Sequence, residues 1–364
     1  MILILVESTF AHSVWCQNLV DGLVSELKLK RIAFRCVSSF AEISSGSGFI
    51  FVVGTSNEWI RAVLEASCRE NIYPILLSNQ TYHDFAMTYS TICSDVIGSM
   101  RHLVEALRSA GREKIALYGV NPHAVSDASR LHGFNAAMRR DCQAHVYAND
   151  GSFARCFARF QTNVERYDAV VCANDFAAIS LVRNLLRTAP AQLERLLFIG
   201  CAETNLSEFY KAYIHSVKLN FSEYGRAAVM LLENLKKNPY LSHIVVSIRW
   251  ELSFPFARGG AIARERALPE LPVIPDSEDN FYQDGELADM LRLERLLNEC
   301  DKLDREVIAH LLQGASYEAI SERCFVTVST VKYRIRKMMT VSQTASRAEL
   351  IRLLREYLRP EARD

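Results

Sequence analysis

The stretch Tyr167-Asp-Ala-Val-Val-Cys-Ala-Asn-Asp175 decides the fold. Ala169–Cys172 is an apolar run of strand length, it ends in the small polar residues Ala173-Asn-Asp-Phe176, and a helical stretch follows. The same unit recurs outward from it. Ile2–Val6 reads as a buried strand before the helix Trp15–Lys28, whose Leu19, Leu23 and Leu27 share one side. Phe49–Val53 precedes a helix over Trp59–Glu70, and Ile75–Leu77 is followed by Val96–Ala110 with Gly111 as C-cap. Ile115–Tyr118 and Leu196–Ile199 are further strands, each with a helical stretch behind it. This alternation, from residue 1 to about 257, predicts an α/β region of parallel sheets with helices on both faces.

Such sheets bind ligands beyond the carboxyl ends of their strands. Those ends read Glu7-Ser-Thr-Phe10, Gly54-Thr-Ser-Asn57, Gly119-Val-Asn-Pro122, Ala173-Asn-Asp-Phe176 and Gly200-Cys-Ala-Glu203. They are small, polar and occasionally aromatic, which suits a polar small molecule and equally suits ordinary strand-to-helix loops. Ser8 lies on the first of them, and Phe10, Trp15 and Phe176 are placed to stack on a sugar face or simply to pack.

Composition narrows the classes. The chain has 364 residues, enough for two or three domains. Lys+Arg and Asp+Glu are 42 each, so only a local concentration of charge can argue for nucleic acid. The ten Cys come no closer than fourteen residues (Cys142 to Cys156), which excludes CxxC redox and zinc-ribbon motifs and fits a reducing compartment. The apolar start Met1–Val6 runs into Glu7 without a charged leader, and no apolar run approaches the roughly 18 residues of a membrane span. A cytoplasmic protein without membrane contact is expected. Gly46-Ser-Gly48 precedes its strand and lacks a third Gly, so it is no dinucleotide fingerprint. There is no GxSxG, HExxH or P-loop, and the nine His show no ligand spacing. The expectation is a non-enzyme with no metal or cofactor.

Several patches of the α/β region resemble the superfamily of the lac repressor and ribose-binding protein. They are Arg130-Leu-His-Gly-Phe134 with Ala136-Ala137, Gly111–Gly119, Tyr167–Asp175, and His215–Lys218 with Tyr224–Ala228. The resemblance implies a two-lobed periplasmic-binding-protein-like fold with three crossovers, near Cys93–Asp95, His215–Leu219 and Val245–Arg249. Lobe 1 is expected over about 1–94 and 218–246, and lobe 2 over about 95–217 and 247–257. It also implies a ligand cleft lined by Arg130, Asn174 and Asp175, with Asp95 as a crossover acid. Where that family often carries an acidic pair, this chain has Ala202-Glu203, so only Glu203 can accept a hydroxyl there.

Past Arg258-Gly-Gly260 the chain changes character. Pro269, Pro272 and Pro275, followed by Asp276, Glu278, Asp279 and Asp284, read as a semi-extended linker over 258–285. Helical periodicity resumes at Glu286, with Leu287, Met290, Leu291 and Leu297 on a stripe. Four further helical pieces fill 301–361. The third, from Thr327 to Met339, has an apolar stripe of Val331, Ile335 and Met338 and an opposite face of Lys332, Tyr333, Arg336 and Lys337, with Arg334 at the margin. No Asp or Glu occurs from Cys324 to Ala348. Two short helices joined by a tight turn, the second basic, are a helix-turn-helix signature.

Residues 303–350 resemble the LuxR-type (GerE-like) DNA-binding domain at Leu303-Asp-Arg-Glu306, Leu311–Gly314, Val326-Thr327, Thr330-Val-Lys332 and Ser346–Leu350. Ser321, Cys324 and Ser342-Gln343 depart from its usual residues. The chemistry assigns Lys332, Arg334, Arg336 and Lys337 to phosphates or guanine edges, and Thr327, Ser329, Thr330 and Tyr333 to further polar contacts. The combined expectation is a cytoplasmic, homodimeric, ligand-responsive transcriptional regulator. Its N-terminal region would bind a small polar effector such as a carbohydrate, and residues 286–364 would bind double-stranded DNA. The competing expectation is a small-molecule binding protein or interaction scaffold without regulated DNA binding.

Overall fold

The computed structural model describes residues 1–9, 11, 13–43, 48–78, 87–138, 145–202, 204–238, 240–252 and 284–358. The chain opens with β1 (Ile2–Val6), α1 (Val14–Leu29), β2 (Phe34–Val37), β3 (Phe49–Val53), α2 (Asn57–Arg69), β4 (Tyr73–Ser78) and β5 (Ser90–Ser94). It continues through α3 (Val96–Ser109), β6 (Ile115–Val120), α4 (Val125–Met138), β7 (Val146–Ala148), α5 (Phe153–Gln161), β8 (Ala169–Cys172), α6 (Asp175–Thr188), α7 (Ala191–Arg195), β9 (Leu197–Cys201) and β10 (Ile214–Val217). Then come α8 (Phe221–Lys237) and β11 (Val245–Ile248).

Two parallel sheets result, one per lobe, ordered β11-β5-β4-β3-β1-β2 and β10-β9-β8-β6-β7. The expected crossovers fall between them: the chain leaves the first sheet after β5 and returns to it after β10. The third lies slightly later than the lobe boundary at 246, because Val245–Ile248 pairs with Thr91–Ser94 along its whole length. The crossing is made at Arg249-Trp250, and Trp250 already packs into the second lobe. Five strands were not anticipated as strands from sequence. Both β2 and β7 are short edge strands with partly exposed residues, β5 is buried yet mostly Ser, Thr and Cys, and the edge strands β10 and β11 fall at two of the expected crossovers.

Glycine sets how closely the helices pack. In lobe 1, α1 and α8 cross at Gly22 and Gly225, where an added Cβ on Gly225 would lie 2.2 Å from the Gly22 carbonyl oxygen. In lobe 2, Gly119 has φ +78°, and its missing Cβ leaves room for Ala177 at the start of α6, which seats that helix against the end of β6.

Five helices follow: α9 (Gly285–Glu299), α10 (Lys302–Leu312), α11 (Tyr317–Arg323), α12 (Val328–Val341) and α13 (Arg347–Leu358). The expected linker lies almost wholly outside the described residues. Between α11 and α12, Phe325 takes φ +55° and closes the turn: its N–H donates to Glu322 O, and the Val326 N–H donates to Ser321 O. This is a Schellman-type stop, usually made by glycine. The core beside the second sheet does not end at the lobe. It runs from Phe153, Phe160 and Leu185 through Leu293 and Leu297 to Val331 and Leu354.

The crossing of α1 and α8 generates a test. Alanine is favoured over glycine by about 1 kcal/mol in a helix interior, but overpacking against fixed backbone costs about 1–3 kcal/mol. With the contact falling on a main-chain oxygen, the steric cost wins. Gly225→Ala is expected to lower the urea unfolding midpoint, by the equivalent of about 1–2 kcal/mol; an unchanged or raised midpoint would show that the helices separate freely.

Candidate functional site

The carboxyl ends of the two sheets each present a set of helix starts. On lobe 1, Glu7 follows β1 and is 3% exposed. Its carboxylate accepts from the Thr55 N–H (2.9 Å), the Ser56 N–H (3.2 Å), the Ser56 hydroxyl and the Thr9 hydroxyl (3.0 Å). It thereby fills the open amides at the start of α2. Sequence reading assigned Glu7 no role, since a lone acid after a strand carries no signal of its partners. Ser8 beside it is exposed. Trp15, in the first turn of α1, is half-buried against the lobe 1 core, and its indole N–H is buried without a hydrogen-bond partner. Phe10 lies outside the described residues.

On lobe 2 the expected cleft residues divide by what they do. Asn174 is the N-cap of α6 and accepts from the Ala177 N–H at 2.9 Å. Asp95 caps α3 in the same manner, accepting from the Gly98 N–H at 2.9 Å, and its own N–H donates to Ile248 O across the crossover. Short polar residues after a strand are thus used first for capping. Arg130, on α4, forms an ion pair with Asp127 at 2.5 Å, and Asp127 also accepts from the Asn121 N–H at 2.7 Å. The Arg130 guanidinium lies 5.7 Å from the centre of the Trp250 ring, and its Nε is buried without a hydrogen-bond partner. Trp250 is itself pinned, its indole N–H donating to the Ser94 hydroxyl and its backbone N–H to the Ser99 hydroxyl. Arg130, Asp127, Trp250 and the crossover Ser94-Asp95 therefore form one cluster at the hinge. Asp127 and Trp250 were missed because nothing local distinguishes them from helix and loop residues.

Asp175, expected in the cleft, is fully buried, and its carboxylate is hydrogen-bonded within lobe 2. It accepts from the Thr204 N–H (2.8 Å), the Thr204 hydroxyl (3.1 Å) and the Ser216 hydroxyl (2.6 Å). Burial raises its pKa, opposed by the Ser216 and Thr204 bonds. With its lone pairs filled by the chain, it holds the loop after β9 in place. That loop starts at Ala202, which adopts φ +113°, a region L-residues rarely enter. Glu203 lies outside the described residues.

The second candidate surface is α12. Thr327 caps it, accepting from the Thr330 N–H at 3.2 Å, and its hydroxyl also pairs with the hydroxyls of Ser329 and Thr330. Val331, Ile335 and Met338 are buried, while Ser329, Lys332, Tyr333, Arg336 and Lys337 are exposed. No acid lies along this helix, but acids reach it from neighbouring helices. Arg334 is bound by Asp301 and Asp304 at the start of α10, both at 2.8 Å, and Lys337 lies 3.9 Å from Glu299 on α9. The Asp301 carboxyl is held below its usual range, first by the Asp304 N–H and then by Arg334. Arg334 thus ties the middle of α12 to the start of α10. Lys332 extends over the Tyr317 ring at 5.7 Å, and Arg336 remains on the open face.

With this geometry, comparison with known proteins is consistent. Residues 104–251 match the family model described as a periplasmic binding protein-like domain. Among solved structures, the transcriptional regulator CelR in complex with cellobiose is similar at 16% identity, over 70% of this chain and 83% of that one, with a TM-score of 0.54. The transcription regulator CcpA of Lactococcus lactis is similar at 16% identity over 69% and 96%, TM-score 0.52. A LacI family transcriptional regulator from Enterococcus faecium with bound ribose is similar at 16% identity over 70% and 97%, TM-score 0.51. At these identities the likeness is one of fold. No curated protein sequence matches the chain. Among the described residues no helix is long and apolar enough to cross a membrane.

The two neighbours Asn174 and Asp175 give the measurement that separates a cap from a keystone. Asn174→Ala removes a cap and is expected to cost about 1 kcal/mol. Asp175→Ala strands several buried donors and is expected to cost about 3 kcal/mol or more. Equal, small losses in chemical denaturation would return Asp175 to the cleft surface.

Proposed function

We propose that the protein is a ligand-responsive transcriptional regulator. A small, hydroxyl-rich effector binds between the lobes of residues 1–257, and α11 and α12 act as a LuxR-type helix-turn-helix that places α12 in the major groove of DNA. The observation that carries the reading is that a periplasmic-binding-protein-like domain shares its chain with a helix whose open face holds Lys332, Tyr333 and Arg336. The effector class is supported by the solved neighbours that hold cellobiose and ribose, and by Arg130 with its unpartnered Nε at the hinge. Asn174 and Asp95 offer their remaining polar atoms from the helix starts beside it. Ser8 and Trp15 would approach from lobe 1, with Phe10 and Glu203 completing the set assigned from sequence.

On DNA, Lys332 and Arg336 supply the principal cationic contacts, and Lys337 joins them by leaving its long pairing with Glu299. Ser329, Thr330 and Tyr333 contact the backbone or base edges, while Thr327 orders the helix start. A few phosphate contacts bind weakly, so two modules on paired half-sites are required for useful affinity, which makes the working unit a homodimer.

The recognition surface can be tested directly. The Lys332→Ala, Arg336→Ala, Lys337→Ala triple variant is expected to lose duplex binding and to flatten the plot of log affinity against log salt by about 2–3, near 0.9 per lost phosphate contact. Arg334→Ala is expected to behave differently, costing about 1–2 kcal/mol of stability by removing the charge partner of buried Asp304, which keeps only the Asp301 N–H, while keeping most of the salt slope. Unchanged binding in the triple variant would end the assignment of α12. For the sensor, a thermal-shift screen of mono- and disaccharides should yield a stabilising ligand whose effect is lost in Arg130→Ala; stabilisation that survives in that variant moves the site elsewhere.

A further inference from the structure

Helix α9 is where the second lobe meets the C-terminal helices, and its contacts are charged rather than merely apolar. Asp284 caps it through one carboxylate oxygen, accepting from the Leu287 N–H at 3.0 Å, while the other oxygen accepts from the Phe153 N–H at the start of α5 at 2.6 Å. Glu286 accepts from the Ser180 hydroxyl (2.8 Å) and pairs with Arg183 (2.7 Å), both on α6. Arg183 also pairs with Glu356 on α13 at 2.9 Å, and its guanidinium lies 3.9 Å from the centre of the Tyr357 ring. Further along α9, Glu294 is fully buried. One of its oxygens accepts from the Asn205 N–H (2.7 Å) and side-chain amide (3.1 Å), and the other from the Leu206 N–H (2.7 Å).

Asn205 and Leu206 directly follow Thr204, the residue held by Asp175. The segment Thr204–Leu206 is thus gripped from two sides, by Asp175 on α6 and by Glu294 on α9. A carboxylate taken out of water is tolerated only where its lone pairs are filled, so loss of either grip leaves an uncompensated group in the interior. An apolar helix–lobe contact would permit sliding. This one does not, because the acceptors meet fixed backbone donors.

We propose that Glu294 is a positioning residue that fastens α9 to the loop after β9, so that the second lobe and helices α9–α13 move as one body. Effector-driven change in the angle between the lobes then carries α12 with lobe 2. The seam that opens or closes lies between α9 and α1 of lobe 1, which approach within 8 Å between Cα atoms. The proposal rests on the regulator reading for its consequence and on the α9 contacts for its mechanics.

Native-state hydrogen exchange on the full chain, in increasing low concentrations of denaturant, tests it. Amides of α6, α9 and α12 are expected to merge into one opening with a single denaturant dependence, while β1 and β3 follow their own. Glu294→Gln retains the shape but replaces one acceptor oxygen with a donor. It is expected to speed exchange at Asn205 and Leu206 by about 10-fold to 100-fold, to speed α12 along with them, and to leave β1 and β3 unchanged. Separate openings for α6 and α12 in the wild-type chain would overturn the proposal, whether or not the variant folds. So would a variant that loosens Asn205 and Leu206 and leaves α12 unaffected. A parallel run with a mixed-sequence duplex at low salt distinguishes the two levels: missing protection of α12 by DNA refutes the regulator reading, whereas uncoupled exchange refutes only the one-body mechanics.

Discussion

Two buried carboxylates, Asp175 and Glu294, hold the short segment Thr204–Leu206 between them. Much of the architecture depends on that arrangement. Asp175 is seated by the start of α6, which Gly119 admits against β6, and Gly200 leaves the space its carboxylate needs, an added Cβ there lying 2.3 Å from Asp175 Oδ1. Glu294 is presented by a helix whose other end is tied to α5 and α6. Both carboxyl groups sit in the interior where backbone N–H groups or hydroxyls receive them. The consequence is a loop whose geometry is set jointly by the second lobe and by α9.

The same economy governs the strand ends. Asn174 and Asp95 look like ligand groups in sequence, and each, like Glu7, is occupied with the start of a helix. Capping and ligand contact draw on the same residue types, because both require a short side chain with an acceptor at the carboxyl end of a strand. In the hinge cluster of Arg130, Asp127 and Trp250 the Arg130 Nε is buried without a hydrogen-bond partner, as is the Trp15 indole N–H on lobe 1.

Charge on α12 follows a related logic. In sequence its basic residues are equivalent, since nothing acidic stands near them. In the folded chain Asp301 and Asp304 arrive from the start of α10 and Glu299 from the end of α9, and they divide the set into Arg334, which locks helices together, and Lys332 and Arg336, which remain on the open face. A net-neutral composition therefore coexists with a locally cationic surface, as electrostatic contact with a polyanion demands.

By itself the sequence determined the layered α/β architecture, the parallel sheets and the faces of α12. Those follow from short-range periodicity: apolar runs of strand length, stripes at helical spacing, and caps within one turn of the residues they serve. It left β2, β5, β7, β10 and β11 obscure, because short edge strands and Ser-rich buried strands carry little such period. The inward turn of Asp175, the roles of Glu7, Asp127 and Trp250, the capture of Arg334 and the grip of Glu294 on the loop after β9 were decided only by tertiary structure. Most pair groups separated by more than a helical turn, and some by about ninety residues, as in Glu294 with Asn205 and Leu206. The energy of a buried charge depends on which donors surround it in space, and local sequence holds no record of them.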